Sequence, residues 1–150
     1  MKKAILICFL LVLAAGPVFS AGRLEQPQAP VADERALASQ LLEKDLQALV
    51  MFSRMDFDLR IDKGFIPDRA AFLNDTENAC ISERPQGIDF TLNEVLVSGD
   101  KLAVSLHWMK KVVDASGQPL LREGDAHIVY VQRDGVWLIY QVSGDSPFIL

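Results

Sequence analysis

His127–Phe148 reads HIVYVQRDGVWLIYQVSGDSPF, two runs rich in Val, Ile, Tyr and Trp on either side of Arg133-Asp134-Gly135. Asp-Gly between such runs marks a tight β-hairpin, because glycine accepts the positive φ that a two-residue turn demands. Upstream of it the same composition recurs with a period of two. Ile88–Val97, Leu102–Val113, Leu120–Gln132 and Val136–Val142 read as strands, separated by Ser98-Gly99-Asp100, Asp114-Ala115-Ser116-Gly117 and Asp134-Gly135. Connections this short make the four strands an antiparallel meander.

With Gly99-Asp100 as a two-residue loop, Val97 faces Leu102, Val95 faces Val104, Asn93 faces Leu106 and Thr91 faces Trp108 on one side of the sheet. Leu96, Leu92, Phe90 and Ile88 then share the other side with Ala103, His107 and Met109. In the last hairpin Tyr130, Trp137, Ile139 and Gln141 fall on one face, and Val129, Val131, Leu138, Tyr140 and Val142 on the other. Both faces are therefore expected to be apolar and to need cover. A second copy of the chain is the simplest cover for the outer one; a strongly curved sheet, or the loop at residues 54–66, are the alternatives.

The cover for the inner face lies upstream. Ala36, Leu37, Leu41, Leu42, Leu46, Leu49 and Val50 recur at steps of three and four, with Asp33 and Glu34 at the start, which predicts an amphipathic helix from Asp33 to about Met51. Pro67 suits the first turn of a second helix, followed by Ala70, Ala71, Phe72 and Leu73 and ending before Pro85. The fold class is thus α+β: N-terminal helices packed on a curved antiparallel meander of about four strands.

Lys2 and Lys3 precede an apolar run from Ala4 to about Ala15, then Gly16-Pro17 and the small-residue stretch to Ala21. This is the layout of a secretory signal peptide over residues 1–21, with a lead-in at 22–32 and one domain over 33–150. The run falls short of the roughly 20 apolar residues a membrane span requires, so no stable anchor is expected after cleavage. The short, lysine-led signal points to a bacterium, and hence to the periplasm or the medium. Losing Lys2 and Lys3 takes Lys and Arg from 15 to 13 against 20 Asp and Glu, a net charge of about −7. That balance disfavours nucleic acid. Cys80 is left as the lone thiol, so no intrachain disulfide is available.

A leading helix, a second helical segment and a long-stranded meander whose last strand opens Gly135-Val136-Trp137-Leu138-Ile139 together resemble the nuclear-transport-factor-2-like superfamily. This is the cystatin-like α+β cone that includes SnoaL-type cyclases and ketosteroid isomerase. The resemblance spans about residues 33–148 and rests on a short Gly-x-Trp-x-Ile run. It implies a fold more than an activity, since the superfamily holds enzymes, binding modules and subunits without chemistry, often dimeric through the sheet.

In the enzymes of that superfamily, acid or base groups sit inside the cone. Here the position four past Trp137 is Gln141, an amide with no useful pKa for proton transfer. The strand residues left to consider are Asp89, Asn93, Glu94, His107, His127 and Gln141. In the register above His107 and Glu94 are diagonal neighbours, and a histidine oriented by a carboxylate can act as a general base. His127 has no evident partner. The expected function is a non-enzymatic module binding a small apolar ligand or a protein, with Glu94, His107, Trp108, Tyr130, Trp137 and Gln141 as candidate contacts. The alternative is a SnoaL-like enzyme moving a proton on a carbonyl substrate with His107 and Glu94 or Asp89.

Other motifs fall away. Two histidines and one mature cysteine are too few for an ordinary His/Cys metal centre, and no cofactor-binding motif is present. Asp56, Asp58 and Asp62 begin like a calcium loop. Arg60 and Ile61, however, stand where a ligand and the turn glycine belong, and Pro67 replaces the closing glutamate. Asn74-Asp75-Thr76 has the form of a glycosylation acceptor, which a bacterial exported chain would not use.

Overall fold

The computed structural model describes residues 31–150. The expected signal at 1–21 and the lead-in as far as residue 30 lie outside the described residues. Helix α1 (Val31–Val50) begins two residues before the expected start, and short α2 (Arg54–Asp58), strand β1 (Ile61–Ile66) and helix α3 (Arg69–Ser82) follow. Strands β2 (Glu83–Ser98), β3 (Lys101–Asp114), β4 (Pro119–Arg133) and β5 (Val136–Gly144) form the meander. No described helix is long and apolar enough to cross a membrane.

The hairpin turns form as their residues dictate. Asp134 and Gly135 take φ of 50° and 81°, the paired positive values of a two-residue turn, and Gly99 takes 60° in the first hairpin. Asp114 closes the middle turn: its Oδ1 accepts the backbone N–H groups of Ser116 at 2.8 Å and Gln118 at 2.9 Å.

The sheet has five strands in the order β1-β5-β4-β3-β2, with β1 parallel to β5. β1 lies where a loop was expected. Its sequence, Ile-Asp-Lys-Gly-Phe-Ile, has a polar centre and no run of alternation, so only its pairing along β5 makes it a strand. Pro67 also lies before the second helix rather than in its first turn: Asp68 is the cap, its carboxylate accepting the Ala71 N–H at 2.9 Å.

Of three β-bulges in the meander, one at Gln86 near the start of β2, the other two change which of the expected strand residues share a face. The expected pairs Val97–Leu102 and Val95–Val104 form, but Asn93 is extra in β2, so Leu92 opposes Leu106 and Phe90 opposes Trp108. Thr91, not Leu92, opposes His107. In β5 Tyr140 is extra: Ile139 opposes Tyr130 as expected, but Gln141 opposes Val129 and Val142 opposes Ile128. Each bulge shifts the alternation by one residue. Ile88, Phe90, Leu92 and Val142 thereby join the inner face, and Gln141 leaves it. The outer face is accordingly less apolar than uninterrupted alternation implied.

On the inner face, α1 lays Ala38, Leu42, Leu46 and Leu49 over Leu102, Val104, Leu106, Ala126, Ile128 and Ile139, all buried. Phe57, Phe65, Phe72 and Phe148 form an aromatic cluster beside them. Phe57 and Phe148 lie 5.6 Å apart between ring centres, and Phe65 stacks on Phe72 at 4.5 Å.

Candidate functional site

The six candidate contacts are divided by the sheet. Trp108, Tyr130 and Trp137 belong to the inner face, as the cross-strand partners of Phe90, Ile139 and Gln132. Glu94, His107 and Gln141 belong to the outer face, opposite Ser105, Thr91 and Val129. Glu94 and His107 stay on one face as expected, but no hydrogen bond or ion pair joins them, and His107 is engaged from the other side by β4.

His107 instead meets Asp125 on β4, Nδ1 to Oδ1 at 3.0 Å, and beside this pair His127 Nδ1 shares a 2.8 Å hydrogen bond with Ser105 Oγ. His127 therefore has a partner, one that no local feature of the chain announces. The protein's two histidines stand together on the outer face. The His107 and Asp125 side chains are 42% and 73% exposed, so the pair is solvated and binds little in energy. Asp89 lies on this face as well, opposite Met109.

A polar network in the interior was not foreseen. The Asp45 carboxylate on α1, with the whole residue 5% exposed, accepts Arg60 Nη1 at 2.8 Å. Beside it lies the buried Tyr130 hydroxyl, which has no partner within hydrogen-bond geometry among the described residues. Burial raises the Asp45 pKa above its ordinary value, outweighing the opposing pull of Arg60. Burial, and then the charge of Asp45, raise Tyr130 further. The signal was legible: Ala38, Leu42, Asp45 and Leu49 follow helical spacing, so Asp45 interrupts the apolar stripe. A carboxylate in such a place needs a cation, and Arg60 supplies it.

The chain's last residues fold back across the open end of the cone. Trp108 Nε1 donates to the Asp145 carbonyl at 2.6 Å, Lys110 Nζ donates to the Pro147 carbonyl at 3.1 Å, and Phe148 is fully buried. Between this segment, the end of α3 and strands β3 and β4 runs an open groove of about 480 Å³, bordered by Ala79, Trp108, Lys110, Arg122, Ile149 and Leu150. Glu83 and Arg122 form a two-pronged ion pair at its edge. Trp108 is the one expected contact residue that borders this groove. Cys80, half-buried nearby, has its thiol pKa raised by burial.

Neither the calcium-like loop nor the glycosylation triplet is free for those roles. Asp62 accepts Arg133 Nε at 3.2 Å and the Gly64 N–H at 2.8 Å, and Asp58 pairs with Arg69 at 2.8 Å. Thr76 is buried in α3, bonded to the Phe72 carbonyl at 2.8 Å.

Helices followed by a curved sheet closing into a cone make this a protein of nuclear-transport-factor-2-like fold. The chain is similar to a conserved protein from Planctomyces limnophilus (TM-score 0.61, 19% identity, 76% of this chain and 98% of that one). It is similar also to Aln2 from a Streptomyces species (TM-score 0.64, 14% identity, 78% of this chain and 91% of that one). A nuclear-transport-factor-2-like superfamily protein from Salmonella enterica serovar Typhimurium matches with TM-score 0.60 and 12% identity, over 78% of this chain and 93% of that one. Identities this low carry the fold alone. No family profile matches the sequence, and no curated protein is similar to it.

Proposed function

We propose that the protein is an exported, non-enzymatic binding module that holds a small, largely apolar ligand in the groove between Trp108 and the folded-back chain end. The observation that carries this is the filling of the cone. Phe57, Trp108, Tyr130 and Phe148 are all buried to within 2% of completely, while the groove beside them stays open at a volume that suits a small ligand. The groups capable of acid–base work support the same function. Asp45 is committed to Arg60, and His107 is solvated on the far side of the sheet.

Titration with octanol, followed by tryptophan fluorescence, is expected to show saturable binding that Ala79→Phe abolishes by filling the groove while leaving the circular dichroism unchanged. Binding that survives Ala79→Phe would place the ligand elsewhere. Turnover of a carbonyl substrate that His107→Ala abolishes without changing the melting temperature would replace the module with the enzyme. Export is read from the intact mass of the protein recovered from periplasm, expected to begin near residue 21 or 22.

The outer face favours a second role, pairing with another copy of the chain. Leu96, Met109 and Leu121 are 57%, 40% and 58% exposed there, among residues of both charge signs, a surface that can complement itself across a two-fold axis. Sedimentation is expected to show a dimer that Met109→Glu dissociates. A single-chain species at tens of micromolar wild-type protein would reject it.

A further inference from the structure

The groove carries charged side chains that apolar contact alone does not use. Lys110 and Arg122 are direct cross-strand partners on the inner face, an arrangement that places two cations side by side. Like charges so placed repel unless a counter-charge joins them. Glu83 is one such charge, but both its oxygens are taken by Arg122. Lys110 is 3% exposed; its ammonium bonds to the Pro147 carbonyl and lies 5.6 Å from the centre of the Trp108 ring. No carboxylate of the described residues comes within the 4.0 Å of an ion pair with it. Glu123, which touches the rim, starts from the outer face, where Met109 is its partner.

A buried ammonium without a counter-ion is costly in a protein built only for stability. Burial indeed holds the Lys110 pKa below its usual value, and Arg122 lowers it further, while Glu83 pulls it back. Lys110 thus has no carboxylate of its own: Glu83 is engaged by Arg122, and Glu123 reaches the groove only at its rim.

We infer that the ligand of this groove carries an anionic head group, a carboxylate on an apolar tail, whose oxygens sit between Lys110 and Arg122 while the tail lies along Trp108, Ala79 and Ile149. Arg122 suits the head because its planar fork matches a carboxylate, and Lys110 adds a second charge from the floor. The geometry rests on the groove being the ligand site, and the two statements are separable because charge and apolar contact can be varied independently.

The experiment compares octanoate with octanol, which share a tail and differ in charge, by calorimetric titration of the wild type, Lys110→Met and Arg122→Gln. The wild type is expected to bind octanoate at least tenfold more tightly than octanol. Either substitution should cut that preference, taken as the ratio of the two affinities in the same variant, to less than about threefold. Circular dichroism reports folding. Should Lys110→Met fail to fold, Arg122→Gln at the more exposed position decides alone. Equal affinity for the two probes in the wild type, or a preference unchanged in Arg122→Gln, overturns the anionic ligand and leaves the groove as an apolar site. Absence of binding for both probes up to millimolar concentration overturns the ligand and the groove together.

Discussion

Trp108 donates its indole N–H to the backbone carbonyl of Asp145 at 2.6 Å, a contact between a mid-sheet strand and a segment 37 residues later. It anchors the turn at Gly144, from which the chain end crosses the mouth of the cone and delivers Phe148 to the aromatic cluster. The C-terminal segment is therefore part of the core.

Phe148→Ala should for that reason behave as a core truncation. Phe148 is fully buried and lies 5.6 Å from the Phe57 ring centre and 5.7 Å from that of Phe72. A loss of about 3–5 kcal/mol is expected, read as a lower urea midpoint at constant slope. A change under about 1 kcal/mol would mean that the segment is not docked in solution.

Gly144 makes the turn itself possible. Its φ is 78°, and a Cβ there would stand 2.6 Å from the Asp125 carbonyl oxygen. Gly144→Ala therefore combines a left-handed backbone with a clash against main chain, and a loss above the ~1–2 kcal/mol of the conformation alone is expected. Gly99→Ala, with open space around its Cβ, is the control and should stay near that figure.

The Asp45–Arg60 pair should be asymmetric under mutation. Arg60→Met leaves a buried carboxylate unpaired, whereas Asp45→Leu with Arg60→Met removes both charges. The single change is expected to cost toward the lower end of the ~3–5 kcal/mol seen for broken buried pairs, since the Arg60 side chain is 24% exposed, and the double change much less. The pH dependence follows from the raised Asp45 pKa. The folded state keeps the proton at pH values where the unfolded chain, titrating near 3.8, has lost it. Asp45 therefore opposes folding above its folded pKa, and this penalty shrinks as pH falls toward 3.8. Stability as a function of pH should rise more on mild acidification in wild type than in Asp45→Asn. Parallel curves would remove Asp45 as the cause.

At the alkaline end Tyr130 acts in the opposite sense to a stabilising charge. Its hydroxyl is held well above 10 by burial and by Asp45, so the unfolded chain releases this proton first and stability falls as pH rises past 10. Of the two tyrosines, one should gain phenolate absorbance only as the circular dichroism is lost. Both titrating in a folded protein would contradict the burial of Tyr130.

How much of this could be read from residues alone differs by element. The α1 stripe, the Asp134-Gly135 and Gly99-Asp100 turns and the four meander strands were legible because each depends on neighbours within a few positions. β1 was not, because Ile61–Ile66 is a strand only by lying along β5. The faces of Phe90, Leu92, Gln141 and Val142 were misjudged for a related reason: Asn93 and Tyr140 look like ordinary strand residues, and nothing local marks either as an extra residue in its ladder.

The sequence by itself determined an α+β meander under a leading helix, because hydrophobic period and turn chemistry are local properties of the chain. Which side each residue serves was decided only in the tertiary structure. A single bulge inverts the alternation beyond it, and its position depends on how two strands distant in sequence fit together. That fit sent Gln141 outward and drew Phe90 and Val142 in, while Glu94 and His107 kept the face they share. On the inner face, the pairing of β3 with β4 set Lys110 against Arg122 across the ladder, beneath a chain end held by Trp108.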